Sequence, residues 1–538
     1  MKITASTIVK SSLILLLFFA MAAGACKKIK DPTEGAKLIV DYNLIKTSWS
    51  LKFIDAATGE IINNSEVEIR VNGQYKDDVC DITGVLHTDY IYHSKEGFFG
   101  CAVYNVKPDP DNPVIFDLSF SCQGYIPTSV PVVATREDHF IMEIPLVNYN
   151  NLPNGVVMQL ATAQTNNGIL TENLQVTTAA IPTTGKTASL TIPAGTVLKT
   201  GDGSMANGSV EATLILFSNM DDESLQAIPG GLIASVEGAT DPKMFFSAGF
   251  VIIEMTDGSG NKIVTLEGGE ATLEVGVADQ TYNPDEGRPA LGGDEVSLWS
   301  YYAPNGERKY EDRTVTVNTK NGLMISLNLN QLAWLGFDWA WNSMCWDGAP
   351  LIFNSQDYGC DCIYLEAIVR EELSGNNNIL FTLPVYACLG EEYPITFMPA
   401  SLPVSIEFEA PCSPTHTAQQ TYYFNDLCSQ EIIYIELISG QNLSNVILDV
   451  SGYCPEEPDI IIRPTVGAWF RNINDWCWRW TFMTNGYANI CDVQIGETYV
   501  VGIYYDGEWE ETEVYVTQEV YYYHQIELTY DICNNLNY

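Results

Sequence analysis

EVEIRVNGQYKDD, residues Glu66 to Asp78, alternates apolar with charged side chains and then breaks at Asn72-Gly73. On an extended chain Val67, Ile69 and Val71 share one face while Glu68 and Arg70 share the other, the period of a half-buried strand running into a turn. The same period, with β-branched and aromatic residues, recurs in GSVEATLILFS (Gly208 to Ser218), DIIIRPTVGAWF (Asp459 to Phe470) and TEVYVTQEVYYYHQIELTY (Thr512 to Tyr530). No sustained helical period competes with it. Short strands divided by regular Gly, Asn, Asp and Pro turns predict an all-β chain of β-sandwiches in series.

The 538 residues suffice for about three or four domains with proper cores. With 68 acidic against 26 basic residues the formal net charge is −42, which repels nucleic acid, because phosphate binding needs clustered Lys and Arg. The same balance supplies no polybasic patch for anionic lipid and reads as a solvated surface that keeps an exported protein soluble.

The first residues carry Lys2 and Lys10 ahead of an apolar run from Leu13 to Ala23, too short to span a bilayer and right for a signal-peptide core. Residues 1–25 are therefore expected to be an export signal. Ala23-Gly24-Ala25-Cys26 resembles a bacterial lipobox, which implies a diacylglyceryl group on Cys26 and residues 26–35 as the lipidated linker. Ala23-Gly24-Ala25 also satisfies the A-x-A pattern of ordinary signal peptidase, and the cysteine that follows directly makes the lipobox the narrower match. Two or three acyl chains anchor stably where one binds only marginally.

The expected units are 36–147, 148–338, 339–435 and 436–538. In the first, LKFIDAATGEIINNSEVEIRVNG, CDITGVLHT and FDLSFSCQGYIPTSVPV set strands between an Asp-x-x-Thr-Gly turn at Asp55 to Gly59, Gly84 and Gly124-Tyr125. This order resembles the transthyretin-like domain called carboxypeptidase-regulatory-like, and implies a sandwich that accompanies function without carrying chemistry. In the second, Ile192-Pro193-Ala194-Gly195-Thr196, Pro229-Gly230-Gly231-Leu232 and Ser247-Ala248-Gly249 resemble the β-domain of ZU5-type modules and cartilage intermediate layer protein, which implies binding or spacing. The third unit is rich in cysteine and aromatic residues, and the last reads as a C-terminal β-sandwich. CLGEEYPITFMPASLPVSIEF from Cys388 and CDVQIGETYVVGIYYDGEWEETEVYV from Cys491 share a Gly-Glu-x-Tyr start, which hints at a repeat. Built as an Ig-like or transthyretin-like series behind a lipobox, the whole resembles multidomain outer-membrane lipoproteins of Bacteroidota-type bacteria. Surface-displayed members of that group carry acidic residues after the lipidated cysteine; Lys27, Lys28 and Lys30 stand there instead and leave the periplasmic and cell-surface sides open.

Fourteen cysteines are split between the two ends of the chain, with none between Cys122 and Cys345, so disulfides are expected in both outer regions. Removing Cys26 leaves an odd number, hence at least one thiol without an intramolecular partner. Cys360-Asp361-Cys362 has no histidine or second cysteine pair beside it to make a zinc site.

Catalytic signals are sparse. AIPTTGKT, Ala180 to Thr187, fits a permissive phosphate-loop pattern but leads into a strand rather than a helix N-terminus, so it reads as a turn. Neither G-x-S-x-G nor H-E-x-x-H occurs, while carboxylate pairs of the glycosidase kind leave no signature in so acidic a chain. The chain is read as no enzyme and as needing no organic cofactor. Asp109 and Asp111 in PDPDN, and Asp257 and Asn261 in DGSGN, offer oxygen ligands that could take calcium without completing an EF-hand loop.

Trp476, Trp478 and Trp480 in NDWCWRW stand at two-residue spacing, so on a strand all three rings share a face. That face is a stacking platform for sugars if exposed and a core if buried. Trp339 and Trp341 in FDWAWNSMCW pose the same alternative, with Asp338 and Asn342 as polar groups for a ligand. The leading expectation is adhesion or structural interaction with a protein or envelope partner, followed by carbohydrate capture for a glycan-uptake system.

Overall fold

The computed structural model describes residues 38–41, 45–319, 322–355, 362–410, 417–418, 421–428, 431–438, 443–505, 507–517 and 519–527. The expected signal segment, Cys26, its linker to residue 35 and Cys360 lie outside them. The described chain is a tandem array of β-sandwich units, with one short helix among the described residues, Asp222–Gln226.

Two four-stranded sheets make the first sandwich. The outer one runs Ile91–His93, Val67–Asn72, Val114–Cys122, Thr128–Ala134, and the inner one Val79–Asp81, Phe98–Val103, Thr47–Asp55, His139–Leu146. In the outer sheet the alternation of the Glu66 to Asp78 segment is realised: Val67, Ile69 and Val71 are buried and their neighbours half-exposed, and Gly73 closes the strand at φ +93°. Thr47–Asp55 behaves differently. Its odd residues Trp49 and Phe53 meet Phe116 and Phe120 of the outer sheet, as a sandwich core requires. Its even residues Ser48, Ser50 and Lys52 should face water, yet every residue of the strand is buried.

The last unit covers that second face. Its inner sheet, Arg479–Met483, Val466–Asn472, Thr498–Tyr505, Glu508–Tyr515, joins the first unit in one continuous core. Phe98 stacks on Trp509 with centroids 4.0 Å apart, meets Trp469 at 5.2 Å and Trp478 at 5.5 Å, and Lys52 Nζ lies over the Trp469 ring. An outer sheet of Glu457–Arg463, Leu443–Cys454, Tyr487–Gln494 and Glu519–Glu527 completes a stack of four layers. Leu38–Asp41 adds to it in parallel with Ile460 to Arg463, so the strand that precedes the first sandwich belongs to the sheet of the last.

Between these ends the chain builds a 14-stranded sheet around the long Lys243–Asp257 strand, followed by an eight-stranded sheet from Met344–Ser355 to Ile433–Ile438, and the two share a second core. The expected boundaries at 338/339 and 435/436 therefore move. Trp334–Trp341 pairs with Lys243–Asp257 inside the central sheet, and Ile433–Ile438 pairs with Met344–Ser355 inside the third unit. The Gly-Glu-x-Tyr repeat does not extend to pairing. Thr498–Tyr505 forms a hairpin with Glu508–Tyr515, whereas Glu392–Pro399 pairs with Met344–Ser355 and Val404–Glu409 with Cys362–Glu371.

Among the described residues the bonded cysteines lie in the later of the two outer regions. Cys345 bonds Cys428, Cys362 bonds its cross-strand partner Cys388, and Cys454, Cys477 and Cys491 are also disulfide-bonded. Cys80, Cys101 and Cys122 in the first unit are free and buried. Register keeps two of them apart: Cys80 faces Ala102 and Cys101 faces Asp81, so pleat alternation sends the two thiols to opposite sides of the sheet.

Candidate functional site

The tryptophan platform is not assembled. Residues 473–478 form a turn and a non-strand segment ahead of Arg479–Met483, so the two-residue spacing does not translate into a shared strand face. Trp476 is 57% exposed beside Gly59 of the first unit, whereas Trp478 and Trp480 are 7% and 1% exposed. Trp478 sits under the Arg471 guanidinium against Phe98 and Trp509, and Trp480 packs edge-on to Tyr386 of the third unit. Trp339 is buried with its indole N–H donated to the Glu295 carbonyl, and Trp341 is half-buried with its N–H donated to the Ala400 carbonyl. Asp338 offers nothing to a ligand, because it is wholly buried in an ion pair with Arg308 at 2.6 Å.

The acidic loops are turns whose carboxylates cap their own backbone. Asp109 accepts from the amides of Asp111 and Asn112. Asp257 accepts from the amides of Ser259 and Asn261 on one oxygen and from Asn207 N–H and Asn261 Nδ2 on the other, which holds it below the usual carboxylate range. The Asn261 side chain thus donates to Asp257 through its amide nitrogen. Among the described residues no three His, Cys, Asp or Glu side chains converge as a metal cage. Ala180 to Thr187 is a turn whose Lys186 reaches Asp279 at 2.8 Å.

What the fold brings together instead lies where all four units meet. A cavity of about 680 Å³ is walled by Phe140 and Met142 of the first unit, Leu232 of the second, Phe381 and Leu383 of the third, and Phe482 of the last. Glu391 and Glu392 also line it, and two further polar clusters stand out. At one, Arg136 forks onto Asp138 at 2.6 and 2.9 Å, donates to the Pro394 carbonyl and lies over the Tyr393 ring. At the other, Glu143 is bonded to Lys52, its register partner on the parallel strand, and Glu366 of the third unit faces them both. Burial, then the Glu143 charge, push the Glu366 carboxyl up to about 7, against the opposing pull of Lys52.

His139, stacked on Phe482 at 3.8 Å, receives or donates a 2.7 Å hydrogen bond with Ser48. Burial lowers the imidazole to about 4, so it is neutral at pH 7. Ser48 is itself buried and does not line the cavity, so this pair ties two strands and cannot present a nucleophile. These groups were invisible in sequence because parallel pairing of Thr47–Asp55 with His139–Leu146 joins residues 91 positions apart. Lys52, a lone cation between Leu51 and Phe53, was the available signal.

The outer sheet of the last unit carries a second feature. Tyr521 and Tyr523 are 60% and 53% exposed, and Tyr487 and Ile447 join them on the same face. Tyr521 bonds Asp449, Asp449 pairs with Arg463 at 2.8 Å, and the Arg463 guanidinium lies over the Tyr487 ring at 4.5 Å. The rings are thus held by hydrogen bonds and a cation–π contact.

No protein-family model and no curated protein matches the chain. Among solved structures it is similar to the shaft pilin SpaA from Lactobacillus rhamnosus GG, at 9% identity over 34% of this chain and 96% of that one, with a TM-score of 0.17. The Bacillus anthracis TIE protein is similar at 10% identity over 70% and 74% of the two chains, with a TM-score of 0.15. The full-length major pilin SpaD from Corynebacterium diphtheriae is similar at 8% identity over 73% and 98%, with a TM-score of 0.14.

Proposed function

We propose that this chain is a non-catalytic cell-envelope lipoprotein, anchored through Cys26 in an outer membrane, that acts in adhesion or structural interaction. The observation that carries this reading is the tyrosine face of the outermost sheet, where exposed rings are held side by side around Asp449 and Arg463. Tyrosine suits protein contact because each ring supplies area and a hydrogen-bonding tip at low entropic cost. We read the first sandwich as a carboxypeptidase-regulatory-like module and the central unit as a ZU5-like spacer, both in a supporting role. Glycan capture is the second reading, moved from the tryptophans to Tyr487, Tyr521 and Tyr523, because rings flanked by an Asp449–Arg463 pair also suit stacked sugars.

Purified Lys27–Tyr538 applied to arrays of matrix proteins and of polysaccharides tests both. The expected result is binding to a protein that falls at least tenfold in Tyr521→Ser/Tyr523→Ser. Binding to a glycan with the same loss would replace the leading reading with the second, and binding that ignores the double substitution would overturn the assignment of this face.

A further inference from the structure

We propose that the four-unit cavity is a binding site for a small amphipathic organic amine, with its ammonium seated between Glu366 and Glu143 and its apolar body against Ile141, Tyr386 and Phe482. The inference is independent of the tyrosine face. Pockets of about 300–1,000 Å³ with apolar walls and a few convergent polar groups are the usual form of small-ligand sites, and this one holds about 680 Å³.

Charge complementarity selects the occupant. The cluster at Arg136 is closed, since its guanidinium is forked onto Asp138 and bonded to a carbonyl. His139 adds no charge. At the other end Lys52 is held by Glu143, and Glu366 faces Lys52 together with further anions and a phenol: Glu143 from the first unit, Glu409 opposite it on Val404–Glu409, and Tyr364 two residues away on its own strand. Two cavity-lining carboxylates therefore share one ammonium. An incoming anion would meet two like charges, and a neutral apolar molecule would leave the imbalance in place. A protonated amine completes the pairing, and the surrounding aromatic rings favour a cation further.

The chain's net charge of −42 attracts any cation weakly, so the test must separate the site from the surface. Lys27–Tyr538 is titrated calorimetrically with 2-phenylethylamine, 2-phenylethanol and 3-phenylpropanoate at pH 8, then with the amine at pH 6. The amine is expected to bind saturably at one site per chain, the alcohol at least tenfold more weakly and the carboxylate not at all. With Glu366 titrating at about 7, amine affinity should fall about tenfold between pH 8 and pH 6, because the ionised fraction falls from about nine-tenths to one-tenth. Glu366→Gln, close to isosteric, should weaken the amine at least tenfold and abolish the pH dependence. Glu513→Gln, which removes an exposed charge elsewhere, should leave both unchanged. Equal effects of the two substitutions, pH-independent binding, carboxylate binding as tight as the amine, or no saturable amine binding to the wild-type chain would each overturn the proposal. Pro384→Trp, at the position paired with Glu366 on the adjacent strand, should also block the amine, and unchanged amine binding to it would place the ligand elsewhere.

Discussion

Phe98→Ala tests whether the first and last units are one folded body. Phe98 is 1% exposed and its ring lies flat on Trp509 of the last unit, with Trp469 and Trp478 around it. A phenylalanine ring buries at least about 150 Å², and at about 25 cal/mol per Å² its removal costs about 4 kcal/mol, in line with the usual loss of about 3–5 for a core Phe→Ala. If the two units melt together as about 200 residues, each kcal/mol lowers Tm by about 2–4 °C, so a shift of about 8–16 °C is expected. The sharper quantity is the coupling between Phe98→Ala and Trp509→Ala. An aromatic pair contributes about 0.5–1.5 kcal/mol beyond area, and the double-mutant cycle should return a value in that range. Urea unfolding followed by tryptophan fluorescence and by far-UV circular dichroism measures all four corners of the cycle. Phe120→Ala, within the first sandwich and against Phe53, serves as the comparison, since it should couple to Trp509→Ala by no more than the about 0.3–0.5 kcal/mol typical of distant sites. Additive effects of Phe98 and Trp509, with separate unfolding steps for the two ends, would refute the four-layer stack.

Two further outcomes follow from the seams. Cys345 and Cys428 are 83 residues apart, and closing a loop of that length is worth about 4–5 kcal/mol by the chain-entropy relation, so Cys345→Ser/Cys428→Ser should lower the urea midpoint of the third unit by more than Cys362→Ser/Cys388→Ser, which opens a 26-residue separation. Glu366 and Asp117 are both raised to about 7, each chiefly by burial, the second at the contact with Ser235 of the central unit. Their folded pKa values exceed the unfolded ones near 4, so the folded state binds more protons between pH 4 and pH 7 and stability falls across that window as pH rises. Glu366→Gln and Asp117→Asn should each flatten the decline, read as Tm against pH; a steeper decline in either variant would reverse the sign assigned to that group.

Strand content was legible because period two survives wherever one face meets water, as in Val67–Asn72. It misled where both faces are buried. Ser48, Ser50 and Lys52 present the polar half of a solvent-facing alternation, yet the last unit covers them, and nothing local distinguishes a serine facing water from one facing a neighbouring sheet. The tryptophans failed for a related reason: two-residue spacing implies one face only on a strand, and Trp476 and Trp478 precede theirs. The cavity groups come from separate units, so their encounter depends on tertiary packing that no window of sequence contains. Cysteine counting foretold an unpaired thiol but could not foretell register, which is what separates Cys80 from Cys101.

The position of Leu38–Asp41 bears on what the proposed contact face can reach. Leu38 lies twelve positions after Cys26, and a fully extended chain over those twelve steps spans at most about 43 Å. Leu38 is in turn paired with Ile460, on the same sheet that carries Tyr487, Tyr521 and Tyr523. An anchor at Cys26 would therefore tether the last unit as directly as the first, and hold the tyrosine face within a few tens of ångströms of the lipid rather than at the far end of four stacked domains. On that proposed anchoring a partner for the face would belong to the same envelope, which would favour a structural contact beside the membrane over capture of a distant surface.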